Sequence, residues 1–285
     1  MVLVQVEMAS EMGFCFGVRR AIELVEKAAR ERGPLQTMGA LVHNRQVVDR
    51  LARCGVSVAT SLDEVKGGVV AIASHGVGPE VVEQAKALGL DVIDATCPFV
   101  RQAQVVARRL GKARFWVLVY GDATHPEVRG VLGWAGDRAS ASLEVPHLNG
   151  VPRRVGIVCQ TTQSPARFAE FASRVISQNL GKLSEVRVFN TICDATRKHQ
   201  AAALDLAGRV DLMFVVGGRD SANTRRLAGI CADTGVPTYH IETAAEIDPA
   251  WLRGHGRVGV SAGASTPDEV IREVVMALGG RVGGN

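Results

Sequence analysis

The chain has 285 residues and a formal net charge of +4, with 47% hydrophobic and 5% aromatic residues. This length suits one large domain or two to three small ones, and the sequence has no basic stripe interleaved with aromatic residues that would indicate nucleic-acid binding. No apolar run approaches the ~20 residues of a membrane helix, and Met1–Glu7 lacks the features of a secretory signal, so we expect a cytoplasmic protein that binds neither nucleic acid nor membrane.

Short runs rich in Val, Ile and Leu alternate with amphipathic stretches along the chain. The predicted strands are Val2–Glu7, Val69–Ala73, Val92–Asp94, Phe115–Tyr120, Val155–Val158, Leu212–Val216 and Val258–Val260. The predicted helices are Arg19–Glu31, Gln46–Cys54, Pro79–Leu88, Phe99–Leu110, Pro165–Gln178, Lys198–Ala207 and Pro267–Leu278. Buried strands that alternate with helices are typical of α/β folds with mainly parallel sheets.

Three of the six cysteines occupy one kind of position. Cys15 lies directly before a predicted helix, and Cys97 and Cys193 each follow a strand-like run and precede a helix. In open α/β sheets, ligands bind at the carboxyl ends of the strands. Three such units around a common axis would bring the three thiols together.

The recurring pattern divides the chain into rough thirds. The thirds share this pattern but not their sequence, so the repeat is a loose one. We expect three α/β domains, each contributing one thiol. Their predicted ranges are residues 14–97, 98–189 and 190–279, the last completed by the N-terminal strand in residues 1–13.

Three separate cysteines favour an iron–sulfur cluster over a structural zinc site. Soft thiolate ligands select zinc, copper(I) or iron–sulfur clusters, and the Cys-x-x-Cys pairs usual in structural zinc sites are absent from the sequence. Three thiolates on a 4Fe–4S cluster leave one iron open to substrate. The spacing alone does not separate this reading from three unrelated buried thiols.

The other cysteines fit packing roles. We expect Cys54, at a predicted helix end, and Cys231, in an apolar helical stretch, to be packed as small hydrophobic residues. Cys159 ends a predicted strand. We interpret it as a buried strand-end thiol, with a role as a fourth cluster ligand as the alternative.

Histidines recur at the ends of predicted strands or in the loops after them. His43, His75 and His125 occupy such positions and together suggest a polar cavity. Pro126 suits the first turn of a helix, so Glu127 would point from the helix start into that cavity. There it is either a proton donor whose pKa is raised by burial or an acid that stabilises the helix dipole. We expect the remaining histidines to be surface or loop residues: His147, His199, His240 and His255.

Three further turns are suited to an oxyanion. Ser221 and Asn223 follow one predicted strand and start a helix, where backbone N–H groups bind phosphate. Ser265 follows another strand, beside Thr266, which with Glu269 reads as a capping box. The hydroxyls of Thr161 and Thr162 either face a ligand or cap the next helix. The sequence contains neither a P-loop nor a Gly-x-Gly-x-x-Gly turn, which favours a small anionic substrate over ATP or NAD.

Nine motifs occur in an order that resembles the 4-hydroxy-3-methylbut-2-enyl diphosphate reductases, the IspH or LytB family, over almost the whole chain. They are Gly13-Phe14-Cys15, Val42-His43-Asn44, Ser74-His75-Gly76, Asp94-Ala95-Thr96-Cys97-Pro98, His125-Pro126-Glu127-Val128, Gln160-Thr161-Thr162, Thr191-Ile192-Cys193, Ser221-x-Asn223 and Ala262-Gly263-Ala264-Ser265-x-Pro267-Asp268. The resemblance implies a trefoil of three α/β domains around one central 4Fe–4S cluster. It also implies reductive dehydroxylation of the allylic diphosphate to isopentenyl and dimethylallyl diphosphates, the last step of the methylerythritol phosphate pathway, with ferredoxin or flavodoxin as electron donor.

The resemblance also implies a role for each matching residue. The cluster ligands would be Cys15, Cys97 and Cys193, with the apical iron open to the substrate hydroxyl. The diphosphate would be bound by His43, His75, His125, Ser221, Asn223 and Ser265. The catalytic residues would be Glu127, which directs protons, Thr161, near the hydroxyl, and His125.

The sequence departs from the usual family pattern close to these motifs. Ala222 replaces the middle serine of a Ser-Ser-Asn motif, which predicts weaker diphosphate binding. The other departures are Phe16, Thr124, Trp134 and His199. Two alternatives stay open: another three-cysteine 4Fe–4S enzyme, resembling quinolinate synthase, and a metal- or anion-binding module without catalysis.

Overall fold

The computed structural model describes residues 4–146 and 152–279, so His147 and the start of the predicted strand Val2–Glu7 lie outside the described residues. The strands are β1 (Gln5–Met8), β2 (Leu35–Met38), β3 (Val56–Ala59), β4 (Val69–Ile72), β5 (Asp91–Asp94), β6 (Trp116–Tyr120), β7 (Ala139–Ser142), β8 (Arg154–Cys159), β9 (Glu185–Val188), β10 (Leu212–Val216), β11 (Thr238–Ile241) and β12 (Arg257–Ala262). The helices are α1 (Phe16–Arg32), α2 (Arg45–Arg53), α3 (Pro79–Ala87), α4 (Pro98–Lys112), α5 (Pro126–Ala135), α6 (Pro165–Asn179), α7 (Asp194–Ala207), α8 (Ala222–Ala232) and α9 (Asp268–Ala277).

The described strands form three four-stranded sheets, and every neighbouring pair in them is parallel. The strand orders are β1-β12-β10-β11, β3-β2-β4-β5 and β7-β6-β8-β9. Parallel neighbours cannot be joined by a tight hairpin and need a crossover connection, usually a helix. The predicted α/β class with mainly parallel sheets is confirmed.

All strands and helices predicted from the sequence are present, with shifts at their ends. The strands that the sequence did not reveal are β2, β3, β7, β9 and β11. Four of these five lie at the edge of a sheet. An edge strand is covered incompletely and needs no continuous apolar run. Alternating alanine and serine, as in β7, is therefore sufficient there.

Contacts divide the chain into two compact units. The first comprises the described residues of Met1–Arg19, Val42–Arg50 and Asp194–Asn285, and the second those of Arg20–Leu41 and Leu51–Cys193. The sheet β1-β12-β10-β11 belongs to the first unit, and the other two sheets belong to the second. This division does not separate the two sheets of the second unit, so the three predicted domain ranges stay a prediction.

The central strand β10 shows why these sheets need apolar sequences. Successive side chains of a strand point to opposite faces, and both faces of β10 are covered. Phe214 packs in a cluster with α9, whereas Met213 and Val215 pack in a cluster with α7 and α8. Truncation of Phe214 to alanine would cost about 3–5 kcal/mol, because the ring is fully buried.

The structure describes the surroundings of the three remaining cysteines. Cys231 is fully buried, and burial raises the pKa of its thiol to about 11. Cys54 is exposed, so its predicted burial is wrong; it follows the end of α2, where the chain turns at the surface. Cys159 is buried and its thiol donates to the Gln160 carbonyl oxygen at 3.3 Å, as expected of a strand-end thiol.

None of the described helices combines the length and apolar character that a membrane crossing requires.

Candidate active site

The three cysteines of the shared pattern each stand directly before a helix. Cys15 precedes α1, Cys97 is the N-cap of α4, and Cys193 precedes α7. All three thiols are half-buried and form no disulfide. Cysteine sulfur is a soft ligand that selects zinc, copper(I) or iron–sulfur clusters. The chemistry of this donor set therefore fits a soft metal centre.

Glu127 is an acid of the second unit whose side chain is buried. It lies in the first turn of α5 and is only 3% exposed. Its carboxylate accepts hydrogen bonds from Thr161, from the backbone N–H at 2.6 Å and from the hydroxyl at 2.9 Å. Burial raises the pKa of Glu127 from 4.5 to about 7, and the two bonds from Thr161 oppose that rise only in part. Of the two alternatives for Glu127, the raised pKa favours the proton donor, because such a carboxyl can give or take a proton near neutral pH.

Thr161 connects this carboxyl to one of the cysteines. Its carbonyl oxygen accepts the backbone N–H of Cys193 at 3.1 Å. The N-cap of α6 is Ser164, whose hydroxyl accepts from the Arg167 N–H at 3.5 Å. Thr161 and Thr162 are thus not needed as caps. The buried hydroxyl of Thr162 has no partner among the described residues.

His125 is held as a hydrogen-bond donor. It is the N-cap of α5, and its Nδ1 accepts the backbone N–H of Glu127 at 3.2 Å. Because Nδ1 is occupied as an acceptor, the proton of the neutral ring is on Nε2. The buried ring can therefore donate to an anion without becoming charged.

The ring of His75 carries its proton on the other nitrogen, Nδ1. Its Nδ1 lies 3.0 Å from the Gly76 carbonyl oxygen, and a carbonyl can only accept, so Nδ1 carries the proton. Its Nε2 donates only when the ring is an imidazolium. The preceding residue, Ser74, accepts the backbone N–H of Cys97 at 2.9 Å. The turn with His75 and the predicted ligand Cys97 are therefore neighbours in the second unit.

His43 belongs to the first unit, in the loop before α2. The ring is half-buried, and burial lowers the pKa of His43, although Asp220 raises it to a smaller extent. Its carbonyl oxygen accepts the hydroxyl of Ser265 at 3.5 Å. A Cβ on Gly218 would lie 2.4 Å from the same oxygen. Only glycine fits at position 218 without displacement of the His43 backbone.

Two other predicted anion ligands begin α8 in the same unit. Ser221 is the N-cap, and its hydroxyl oxygen accepts the Thr224 N–H at 3.3 Å, which leaves its own proton for another acceptor. Asn223 is 7% exposed, and its Oδ1 accepts from Thr196 at 3.5 Å. The Asn223 Nδ2 has no partner among the described residues. A buried donor without a partner is costly, and an anion at this helix start would satisfy it.

The predicted capping box at α9 is wrong. The helix begins at Asp268 with Pro267 as N-cap, one residue too late for Thr266 to cap it. Thr266 instead donates its hydroxyl to the Val216 carbonyl oxygen at 2.9 Å and so joins the turn after β12 to the end of β10. Ser265, the preceding residue, is buried at the same turn.

The prediction that His199 is a surface or loop residue is wrong: it is buried on α7, burial lowers its pKa, and its Nδ1 has no partner among the described residues. Phe16 is exposed at the start of α1, and Thr124 donates its hydroxyl to Asp122 at 2.7 Å. Sequence reasoning did not single out Gln104 of α4, a glutamine that is buried. Its only signal was an amide among the apolar positions of a predicted helix.

The predicted site residues are divided between the two units. The first contains Cys15, His43, Ser221, Asn223 and Ser265, and the second contains His75, Cys97, His125, Glu127, Thr161 and Cys193. Within the described ranges, no group of three or more His, Cys, Asp or Glu side chains is placed so that it could hold a metal ion. The three-thiolate ligand set therefore stays a prediction.

Sequence comparisons reveal close relatives along the whole chain. The profile of a family described as "LytB protein" matches residues 6–279. A Dehalococcoides mccartyi protein called "4-hydroxy-3-methylbut-2-enyl diphosphate reductase" is 51% identical over 278 residues, which cover 96% of this chain and 98% of the relative. A Geobacter metallireducens protein of the same name is 44% identical, with 95% of each chain covered.

Solved structures resemble the chain as well. One, described as "(E)-4-Hydroxy-3-methyl-but-2-enyl Diphosphate Reductase, the Terminal Enzyme of the Non-Mevalonate Pathway", is 40% identical with a TM-score of 0.69, covering 97% of this chain and 99% of that one. The "E-1-hydroxy-2-methyl-but-2-enyl-4-diphosphate reductase" of Plasmodium falciparum is 26% identical with a TM-score of 0.90, covering 96% and 87%.

Proposed function

The chain belongs to the LytB protein family, and from this premise we propose that it is a 4-hydroxy-3-methylbut-2-enyl diphosphate reductase. The reaction removes the allylic hydroxyl as water. It consumes two electrons and two protons, and it yields isopentenyl and dimethylallyl diphosphates. The relatives and solved structures carry this activity in their names, and they give no support to a quinolinate-synthase type of enzyme or to a non-catalytic module.

The observation that carries the proposal is the buried carboxyl of Glu127. Hydroxide is a poor leaving group, so cleavage of the C–O bond requires a proton from a nearby acid. Glu127 has a pKa of about 7 and is bonded to Thr161 through both oxygens. The protonated carboxyl can pass its proton to the Thr161 hydroxyl as that hydroxyl donates to the leaving oxygen. Burial keeps bulk water away from the carboxyl.

The diphosphate end of the substrate requires hydrogen-bond donors. In the second unit, His125 offers a neutral Nε2–H and His75 offers a second ring. In the first unit, the donors are the Ser221 hydroxyl and the Asn223 Nδ2, which has no partner among the described residues. The Ser265 hydroxyl can join them when it turns away from the His43 carbonyl oxygen. Charge-assisted bonds from such groups to phosphate are among the strongest in proteins. His43 completes the proposed set.

The family implies an iron–sulfur cluster, and its proposed ligands are Cys15, Cys97 and Cys193. A 4Fe–4S cluster held there through three thiolates would supply electrons and would leave one iron for the substrate hydroxyl. The half-buried thiols at helix starts suit this role. A small one-electron carrier, ferredoxin or flavodoxin, is the proposed donor. The described cysteines form no disulfide, which fits the reducing conditions of the cytoplasm, and we propose the cytoplasm as the location.

The test is product formation by protein reconstituted with iron and sulfide without oxygen. We expect the allylic diphosphate to be converted only when a reduced one-electron donor is present. Conversion without a donor would indicate a dehydration of the quinolinate-synthase type. A colourless, iron-free protein after reconstitution would contradict the cluster, and with it this function.

A further inference from the structure

A glutamine of α4 is buried beside the turn that contains His75. Gln104 is 1% exposed, and a buried amide must form hydrogen bonds to offset its loss of water. Its Oε1 accepts a bond from Arg101 Nη1 at 2.8 Å, and its Nε2 donates to the Val77 carbonyl oxygen at 3.3 Å. The amide therefore connects α4 to the backbone two residues after His75.

A tryptophan of α5 donates to the same carbonyl. Trp134 Nε1 lies 2.9 Å from the Val77 oxygen. The Arg101 guanidinium lies 5.9 Å from the centre of the indole ring, within the range of a cation–π contact. Since α5 begins beside Glu127, the Val77 carbonyl joins the segment after His75 to the helix that presents the proposed acid.

Gln104 also packs directly against the turn. Gly76 adopts a φ of +70°, and a Cβ at this position would lie 2.5 Å from Gln104 Nε2. On its other side the turn accepts the Cys97 N–H through the Ser74 carbonyl oxygen. The backbone around His75 is thus fixed from two directions, by the Cys97 turn and by the Gln104 amide.

We propose that Gln104, with Arg101 and Trp134 as its supports, is a positioning residue that holds His75 in place for the diphosphate of the substrate. The inference rests on the proposed function, and it goes beyond the residues implied by the family motifs. An amide suits this position because it accepts from the guanidinium and donates to the carbonyl at the same time. Leucine can form neither bond. Glutamate can pair with Arg101 but sets an oxygen against the Val77 oxygen.

The test compares Gln104→Leu and Gln104→Glu with Asn179→Leu in the reconstituted enzyme. Asn179 is a matched control: a buried amide that donates to the Val175 carbonyl oxygen at 2.9 Å within α6. Loss of one positioning hydrogen bond should raise KM for the allylic diphosphate about fivefold in both Gln104 variants and change kcat less than about twofold. The Asn179 variant should keep the wild-type KM.

A second measurement does not depend on turnover. Proton–nitrogen NMR spectra of the histidine rings, with the His75 signals assigned from a His75→Asn variant, report the ring directly. We expect the His75 signals to shift in Gln104→Leu and to stay in place in Asn179→Leu. If the wild-type protein shows no turnover, the proposed function fails, and the spectra still test the positioning role.

Unchanged KM and unchanged His75 signals in the Gln104 variants would overturn the inference, as would an equal rise of KM in the Asn179 variant. Trp134→Phe provides a milder change if the Gln104 variants do not fold. It removes one donor to the Val77 carbonyl and should raise KM about two- to threefold and shift the His75 signals. Wild-type behaviour of Trp134→Phe in both measurements would contradict the role of the Val77 carbonyl.

Discussion

Glu127→Gln removes the transferable proton and retains almost the same shape. In the wild type, the Thr161 backbone N–H lies 2.6 Å from the Glu127 carboxylate, and the glutamine Oε1 can still accept it. The Thr161 hydroxyl, which donates to the other carboxylate oxygen at 2.9 Å in the wild type, can rotate and accept from the new amide. The variant should therefore fold and bind the allylic diphosphate with little change in affinity.

Turnover should nevertheless fall by ~10² or more, as expected of a lost general acid. That factor corresponds to about 3 kcal/mol of transition-state stabilisation. The pH dependence should change as well. With a pKa of about 7, the carboxyl of the wild-type enzyme loses its proton as the pH rises through 7, so kcat should decline above that pH. In the variant this decline should be absent.

Stability gives an independent check on the same group. The pKa of Glu127 is raised on folding from 4.5 to about 7, so the folded state binds the proton more tightly than the unfolded state. The resulting stabilisation is complete below pH 4.5 and is lost as the pH rises to about 7. Relative to Glu127→Gln, the wild type should lose about 3 kcal/mol of unfolding free energy across this window.

The assay is a pH series of kcat and of urea unfolding for both proteins. Thr161→Ser is a matched control, because it retains the hydroxyl and the backbone N–H that bind the carboxyl. Equal turnover of the wild type and Glu127→Gln would remove Glu127 from the mechanism. A difference in stability that does not vary between pH 4.5 and 7 would refute the raised pKa.

Three further changes test other parts of the site. Cys97→Ser should lose the cluster, and full retention of iron and sulfide would count against Cys97 as a ligand. Ala222→Ser adds a hydroxyl at the start of α8 and should tighten diphosphate binding by roughly 1 kcal/mol; an unchanged Kd would mean that the backbone N–H already suffices. Gly218→Ala sets a Cβ 2.4 Å from the His43 oxygen and should cost about 1–3 kcal/mol of stability. Gly229→Ala, with open space around its Cβ, should cost nothing in the same melting experiment.

The sequence was most informative where a segment is buried on both sides. Among the described strands, five of the six central ones have largely apolar runs, so their positions were predictable: β4, β6, β8, β10 and β12. The sixth, β2, has two polar residues in its middle and was missed. The missed strands are short and mostly at sheet edges, where a run such as that of β7 carries no apolar signal. The helices that follow the three cysteines were also predicted, although α1 and α7 begin at Phe16 and Asp194, before the predicted starts at Arg19 and Lys198.

The side-chain network was harder to predict. Thr266 matched the spacing of a capping box, but Pro267 takes the N-cap position and the hydroxyl bonds to β10 instead. His199 looked like a surface residue because a single polar residue in a helix does not reveal which face is covered. The role of Gln104 depends on Val77, 27 residues earlier in the chain. Such contacts follow from the packing of α4 against α5 and against the segment after β4, and not from local sequence.

The central claim is that this chain transfers two electrons to the allylic diphosphate for each hydroxyl that it removes. The most direct measurement follows the oxidation of a reduced one-electron donor and the formation of isopentenyl and dimethylallyl diphosphates together, in anaerobically reconstituted protein. We predict that about two donor molecules are oxidised per product molecule, in line with two-electron reduction. Product without donor oxidation, or donor oxidation without product, would contradict the account.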